Sequence, residues 1–182
     1  MSFKKFYYKE VISTNNTAIK KIKIGYKKGI IVSELQKKGK GQYGKKWISL
    51  SGNLFVSIFF EIKKNIEINN LIKINCNIIK KSLSKYIKKK ISIKHPNDLL
   101  MNKKKFCGIL QELVFNKKKK FIIIGIGVNI LKNPNIKNYP TTNILKETGD
   151  KIKRINLLKS IENNYSRKLK LFATASNSTV MP

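Results

Sequence analysis

Gln36-Lys37-Lys38-Gly39-Lys40-Gly41-Gln42-Tyr43-Gly44-Lys45-Lys46-Trp47, and after it the apolar run Leu54-Phe55-Val56-Ser57-Ile58-Phe59-Phe60, is the stretch on which the reading of this chain turns. Glycines at 39, 41 and 44 allow the backbone positive φ and close approach to a ligand, while Lys40, Lys45 and Lys46 bring positive charge to the same place. That combination suits a phosphate or a carboxylate. It is equally what a solvated basic turn before a buried strand would look like. The loop is not a Walker A pattern, which needs Gly-Lys-Ser/Thr opening a helix. Nor is it a dinucleotide fingerprint, because the chain beyond Trp47 reads as a strand.

The 182 residues, 41% of them hydrophobic, suffice for one globular domain with a proper core. No apolar run approaches the roughly 18 to 20 residues of a membrane span, and the start, Met1-Ser2-Phe3-Lys4-Lys5, leads into no signal-peptide core. The expectation is a soluble cytoplasmic protein with no membrane partner. Cys76 and Cys107 form no CxxC and read as reduced, buried thiols, and with His95 the sole histidine a zinc site lacks ligands. A net charge of +31 ordinarily points to nucleic acid. Here only Arg154 and Arg167 are arginines, and the lysines accompany an excess of isoleucine and asparagine over alanine, the mark of an A/T-biased coding sequence. Charge is then weak evidence about partners, and no specific nucleic acid is expected.

Acidic residues are the scarcer resource. Of nine, only Asp98 and Asp150 are aspartates, and no close carboxylate pair or His-Asp-Ser set offers a general acid and base. Any catalysis should rest on positioning and positive charge.

In chain order, Phe6 to Ile12 is extended, and Ser13-Thr14-Asn15 either caps a helix or binds a ligand's polar head, two readings that can hold together. Ile30 to Glu34 is a short strand delivering the chain into the glycine loop, and 53–62 is another. Ile72, Cys76, Ile79, Leu83 and Tyr86 recur at helical spacing. Ile91 and Ile93 alternate as a strand that Pro96 stops, leaving Lys94 at its end either as one more solvated lysine or as a functional one. Residues 105–114 and 121–130 read as an antiparallel hairpin, with Gly108, Gly125 and Gly127 marking a wall that a ligand or another backbone approaches. Thr141-Thr142-Asn143 opens a short helix, and Ile155, Leu158, Ile161, Tyr165, Leu169 and Phe172 define a last helix capped by Asn156. From Ala173 to Pro182 lysine and periodicity both vanish, and disorder is expected.

Taken together, five ordered stretches resemble the catalytic domain of the biotin protein ligases. They are Ser13 to Asn15, Gln36 to Trp47, Lys94 to Asp98, Gly108 to Glu112 and Gly125 to Asn129. The family's patterns there are Ser-Thr-Asn, Gln-x-x-Gly-Arg-Gly-Arg-x-Gly-Arg-x-Trp, Lys-Trp-Pro-Asn-Asp, Gly-Ile-Leu-x-Glu and Gly-x-Gly-x-Asn. The resemblance implies an α+β fold, a mixed, largely antiparallel sheet with helices packed on one face, like the class II aminoacyl-tRNA synthetases. It also implies an enzyme that activates biotin with Mg-ATP as biotinyl-5'-adenylate and passes it to a lysine of the biotin carboxyl carrier protein of acetyl-CoA carboxylase. No tightly bound cofactor is implied beyond these substrates.

By the same resemblance Ser13, Thr14, Asn15 and Gln36 take the biotin head group, with Phe55, Leu99 and Gly108 also in that pocket. Gly39, Lys40, Gly41 and Gln42 form the loop over the biotin carboxylate and the adenylate phosphate. Lys94 and Lys40 are the catalytic cations, and Lys40, Gln42, Lys94 and Asn129 face the nucleotide. Asp98 is expected to fix the Lys94 turn through backbone bonds. Two residues depart from the pattern: Gln42 stands for an arginine and His95 for a tryptophan. Residues 1–172 are expected to be the catalytic domain, with neither the helix-turn-helix of the family's repressors nor the C-terminal β-barrel. The alternatives are a lipoate or octanoyl ligase of the same superfamily and a basic nucleic-acid-binding module.

Overall fold

In a computed structural model, which describes residues 3–62, 68–137 and 139–173, the chain builds one seven-stranded sheet with helices on both faces. Strand β1 (Lys5–Val11) leads to helix α1 (Thr14–Lys23) and strand β2 (Lys28–Gln36). A small ribbon comes next, β3 (Gly39–Lys40) and β4 (Lys46–Trp47), and then the central strand β5 (Leu54–Ile62). Helix α2 (Ile68–Ser84), strands β6 (Ser92–Lys94) and β7 (Asp98–Met101), and the hairpin β8 (Lys104–Asn116) and β9 (Lys119–Val128) continue the chain. It closes with α3 (Ile144–Thr148) and α4 (Arg154–Ala173). The order across the sheet is β1-β2-β5-β9-β8-β7-β6, parallel only at β1–β2.

The alternation of β5 explains the two-sided packing. Leu54, Val56, Ile58, Phe60 and Ile62 enter the larger core with Ile79 and Leu83 of α2 and Leu158, Ile161 and Tyr165 of α4. Phe59 points the other way, to Ala18 and Ile22 of α1. The expectation of helices on one face therefore holds for α2 and α4, while α1 covers the opposite one. Each buried Ile, Leu or Phe of this set contributes roughly 1.5–3 kcal/mol relative to exposure.

The helix stripes differ from their apolar spacing. In α2, Asn75 and Ser82 are buried and Ile72 only half-buried. Asn75 bonds Gln111 on β8 at 2.8 Å and accepts from the Tyr165 hydroxyl at 3.0 Å, so a polar pin joins both helices to the sheet. In α4, Asn156 lies within the helix rather than at its cap, and Ile155 is 43% exposed while Leu157 is buried. Asn143 caps α3, its side chain accepting from the Lys146 N–H at 2.8 Å. Helix α4 ends at Ala173, and the rest of the tail expected from that residue lies outside the described residues. No helix among the described residues is long and apolar enough to cross a membrane.

Glu147 of α3 ties this end of the molecule together, accepting from Lys89 at 2.8 Å, Asn102 at 2.7 Å and Thr142 at 2.8 Å. Burial opposes ionisation of its carboxyl, but the Lys89 and Thr142 hydrogen bonds outweigh burial and hold it below its ordinary value of 4.5. A depressed value means that this stabilisation is present above the ordinary value and is lost as pH falls through the folded one. The urea-unfolding gap between the native chain and Glu147→Gln should be constant above about pH 5.5 and narrow towards about pH 3. A gap that stays constant across that range would show that the ionised carboxylate is not what matters.

Candidate functional site

On the α1 face the hairpin offers almost no side chains where it matters. Gly108 of β8 pairs with Gly127 of β9, and Leu110 with Gly125. A Cβ at Gly125 would run into the Asn15 side chain, one at Gly127 into the Trp47 ring, and one at Gly108 would lie 2.6 Å from that same ring. Bare backbone therefore lets the start of α1 and the end of the glycine loop come down onto the sheet.

The first turn of α1 is held by a shared set of polar groups. Ser13 is at the N-cap position and buried, but its side chain makes no capping bond, so the cap expected of it is only positional. The Thr14 backbone N–H and hydroxyl both donate to Gln36 Oε1, at 2.9 and 3.1 Å. Ser57 Oγ is 2.7 Å from Thr14 Oγ1 and 2.5 Å from Asn15 Oδ1, and Asn15 Nδ2 donates to Glu112 Oε2 at 2.6 Å. Glu112 in turn faces the Lys40 ammonium at 3.8 Å. Phe55 is fully buried on the same face, paired with Gly127.

The loop closes as a miniature hairpin. Gly39 pairs with Trp47 and Lys40 with Lys46, and a 3-10 turn over Gln42–Gly44 forms the tip. Of its three glycines only Gly44 takes a positive φ; Gly39 is bare because a Cβ there would sit 2.5 Å from the Trp47 carbonyl oxygen. Tyr43 is left-handed and 90% exposed at the tip. Beneath the ribbon lies an open cleft of about 1220 Å³, lined by Asn16, Gln36, Gly39, Lys40, Gly41, Gln42, Trp47 and Glu112 among others.

Trp47 connects this cleft to a second cluster. The Lys105 ammonium is 5.5 Å from the Trp47 ring centroid and 5.4 Å from that of Tyr139, and the Lys94 ammonium is 4.7 Å from the Tyr139 ring. Asp98 binds Lys105 at 2.7 Å and accepts from the Tyr139 hydroxyl at 2.5 Å. Its side chain thus grips a lysine and a tyrosine rather than the turn backbone; the neighbouring Asn97 bonds backbone instead, donating to the Ile109 carbonyl at 3.0 Å. Burial, reinforced by the Asp98 hydrogen bond, raises the Tyr139 phenol above its ordinary value. Trp47 Nε1 and Asn129 Oδ1 are buried without a hydrogen-bond partner, and Asn129 is only 2% exposed. Leu99 stands apart from the residues expected beside it: it is buried in the larger core, where it pairs with Cys107, away from the cleft.

A mixed sheet carrying this arrangement is the fold of the class II aminoacyl-tRNA synthetase kind found in biotin and lipoate ligases. The Biotin/lipoate A/B protein ligase family matches residues 8–129, and the chain belongs to that family. The bifunctional ligase/repressor BirA of Bacillus subtilis is 27% identical over 168 residues, covering 85% of this chain and 50% of that protein. The protein of the same name from Escherichia coli is 33% identical over 105 residues, 54% of this chain and 32% of that one. Among solved structures, the biotin protein ligase of Aquifex aeolicus in complex with biotin and ATP superposes with a TM-score of 0.78 at 28% identity, covering 93% of this chain and 71% of that one. The chain spans about half or less of the length of the curated relatives it matches.

Five residues of the site carried no role in the sequence reading: Trp47, Ser57, Lys105, Glu112 and Tyr139. Ser57 had a signal, as the one polar residue in the apolar run from Leu54 to Phe60, and Glu112 had another, as a scarce acid in a chain with a lysine loop. Trp47 is the sole tryptophan, so its emission reports the state of the glycine wall. Gly127→Ala should push the ring outward, shift emission to longer wavelength and cost about 1–3 kcal/mol in unfolding free energy. An unshifted spectrum would show that the ring does not depend on the bare strand.

Proposed function

We propose that this chain activates biotin as biotinyl-5'-adenylate, using the magnesium complex of ATP, and transfers the biotinyl group to a lysine of biotin carboxyl carrier protein. The observation that carries the reading is the convergence of Thr14, Asn15 and Gln36, through shared hydrogen bonds, with Lys40 across Glu112. A fused-ring urea needs donors and acceptors held in place at one end of a pocket, and its carboxylate needs a cation at the other. The family match and the likeness to a ligase in complex with biotin and ATP support the same reading.

The chemistry asks for no paired acids. A carboxylate oxygen attacks the α-phosphate, the bond to the β-phosphate oxygen breaks, and pyrophosphate leaves. Negative charge gathers on the phosphoryl oxygens, where the compact ammoniums of Lys94 and Lys40 offset it. The lysine amine of the carrier then attacks the acyl carbonyl of the mixed anhydride, AMP departs, and the amide remains after loss of a proton. Asn129, with a buried and unpartnered amide oxygen, is suited to a donor on the nucleotide. Substrate and carrier of this kind place the work in the cytoplasm, in a single catalytic domain over residues 1–172.

Biotin-dependent exchange of ATP with labelled pyrophosphate is the test. Lys94→Ala should lower the exchange rate by about 100-fold while biotin affinity changes only a few-fold. Undiminished exchange would remove Lys94 from the reaction, and no exchange in the native chain would remove the reaction itself. Gln42→Arg, which adds a cation beside the adenylate, should slow release of biotinyl-adenylate. Release at the native rate would mean that Lys45 or Lys46 already supplies that charge.

A further inference from the structure

A lysine on a flexible four-carbon stem stabilises a transition state only if something holds its ammonium where charge will develop. Lys94 lies at the end of β6 with an exposed side chain. The contact that restrains it comes from outside every recognised motif: the ring of Tyr139, on the connector between β9 and α3, at 4.7 Å. Lys105 lies against the same ring at 5.4 Å, so two ammoniums share one aromatic. Their repulsion is relieved by Asp98, which pairs with Lys105 at 2.7 Å. The same carboxylate accepts from the Tyr139 hydroxyl at 2.5 Å, so the ring is fixed from its polar end while its face is left to a cation. Asp98 pairs with Lys94 in the β6–β7 register, so the ring is tied to the strand pair that carries the lysine it restrains.

We propose that Tyr139 is a positioning residue for Lys94: its hydroxyl is anchored on Asp98, and its ring holds the Lys94 ammonium at the reacting carboxylate and phosphate. The assignment rests on the proposed adenylation for the purpose of the contact, though not for the contact itself. In this assignment Tyr139 acts through Lys94 rather than on the substrates themselves. The connector that bears it runs on to Thr142 and Asn143 at the start of α3, so the lysine is braced by an element otherwise remote from its turn.

Tyr139→Phe, which keeps the ring, and Tyr139→Leu and Tyr139→Asn, which remove it, are compared in the full chain by two readouts. The first is the rate of acetylation of the Lys94 amine by acetic anhydride, measured by peptide mass spectrometry against the exposed Lys38. Loss of the ring should raise Lys94 labelling about three-fold or more, and phenylalanine, which keeps the ring but loses its bond to Asp98, should fall between the native and ring-free rates. Two ring-free variants are used so that failure of one to fold leaves the other to decide. The second readout is pyrophosphate exchange: the ring-free variants should lose about ten-fold in kcat with KM for biotin within about two-fold, and phenylalanine should recover part of the rate. Labelling of Lys94 unchanged by removal of the ring, or a phenylalanine variant as impaired as leucine, overturns the assignment. A native chain that catalyses no exchange sinks the adenylation reading alone, and the labelling still decides whether Tyr139 positions Lys94.

Discussion

Where β8 and β9 pair Gly108 with Gly127 and Leu110 with Gly125, one face of the sheet is reduced to backbone, and this lets two other elements reach it. Asn15 descends onto Gly125 and Trp47 lies over Gly108 and Gly127. Any side chain at those positions would lift α1 and the ribbon β3–β4 away, separating Thr14 and Asn15 from Gln36 and Glu112. The opposite face of the same strands is packed with isoleucine and valine, so the sheet is rigid from below while open above. A site built on such a wall keeps its geometry because the strands cannot move independently of the core.

The charge of the site arises from scarcity rather than from the overall basicity. Lysines abound on this surface, and most face water. Lys40 and Lys105 each face an acid, Glu112 and Asp98, as Lys5, Lys37, Lys89 and Lys119 do elsewhere on the surface, in a chain with only nine acids to distribute. Lys94 lies over an aromatic ring instead, the Tyr139 ring that it shares with Lys105. The Lys40–Glu112 pair is open to water and contributes little to stability, so it is better understood as orienting a cation, whereas Lys105–Asp98 is largely shielded from water and also helps to hold its surroundings together. The polar pin of Asn75, Tyr165 and Gln111 and the Glu147 cluster do the holding, and both lie on the far side or at the end of the sheet.

Much of this was legible from residue patterns. The strands at β2, β5 and β9 and helices α2 and α4 agree with apolar periodicity, and the family resemblance drawn from five ordered motifs is borne out by the family match. The exceptions are instructive. Spacing alone favoured Ile155 and Ile72 as core, yet α4 turns Leu157 inward and α2 buries Asn75, because a partner across the interface satisfies that amide. Asn156 reads as a cap by type, but α4 begins at Arg154, since a capping residue is chosen by where the chain enters and not by composition. Leu99, one residue from Asp98, falls on the other face of the strand, as the two-residue period of β structure requires.

The sequence by itself determined where the distinctive stretches lie: a serine-threonine-asparagine helix start, a glycine-lysine loop ending in tryptophan, a lysine before a proline turn, and a glycine wall. It determined these because each depends on local backbone demands, such as a bare position, a missing N–H or an end of periodicity. Only the tertiary structure decided that Ser57 joins Thr14 to Asn15, that Glu112 answers Lys40, and that Tyr139, anchored on Asp98, lies against Lys94. Ser57 is 43 and 42 residues from the two side chains it joins, and Tyr139 is 41 residues from Asp98. No periodicity encodes such a pairing; it arises when strands far apart in sequence come to share one face of a sheet.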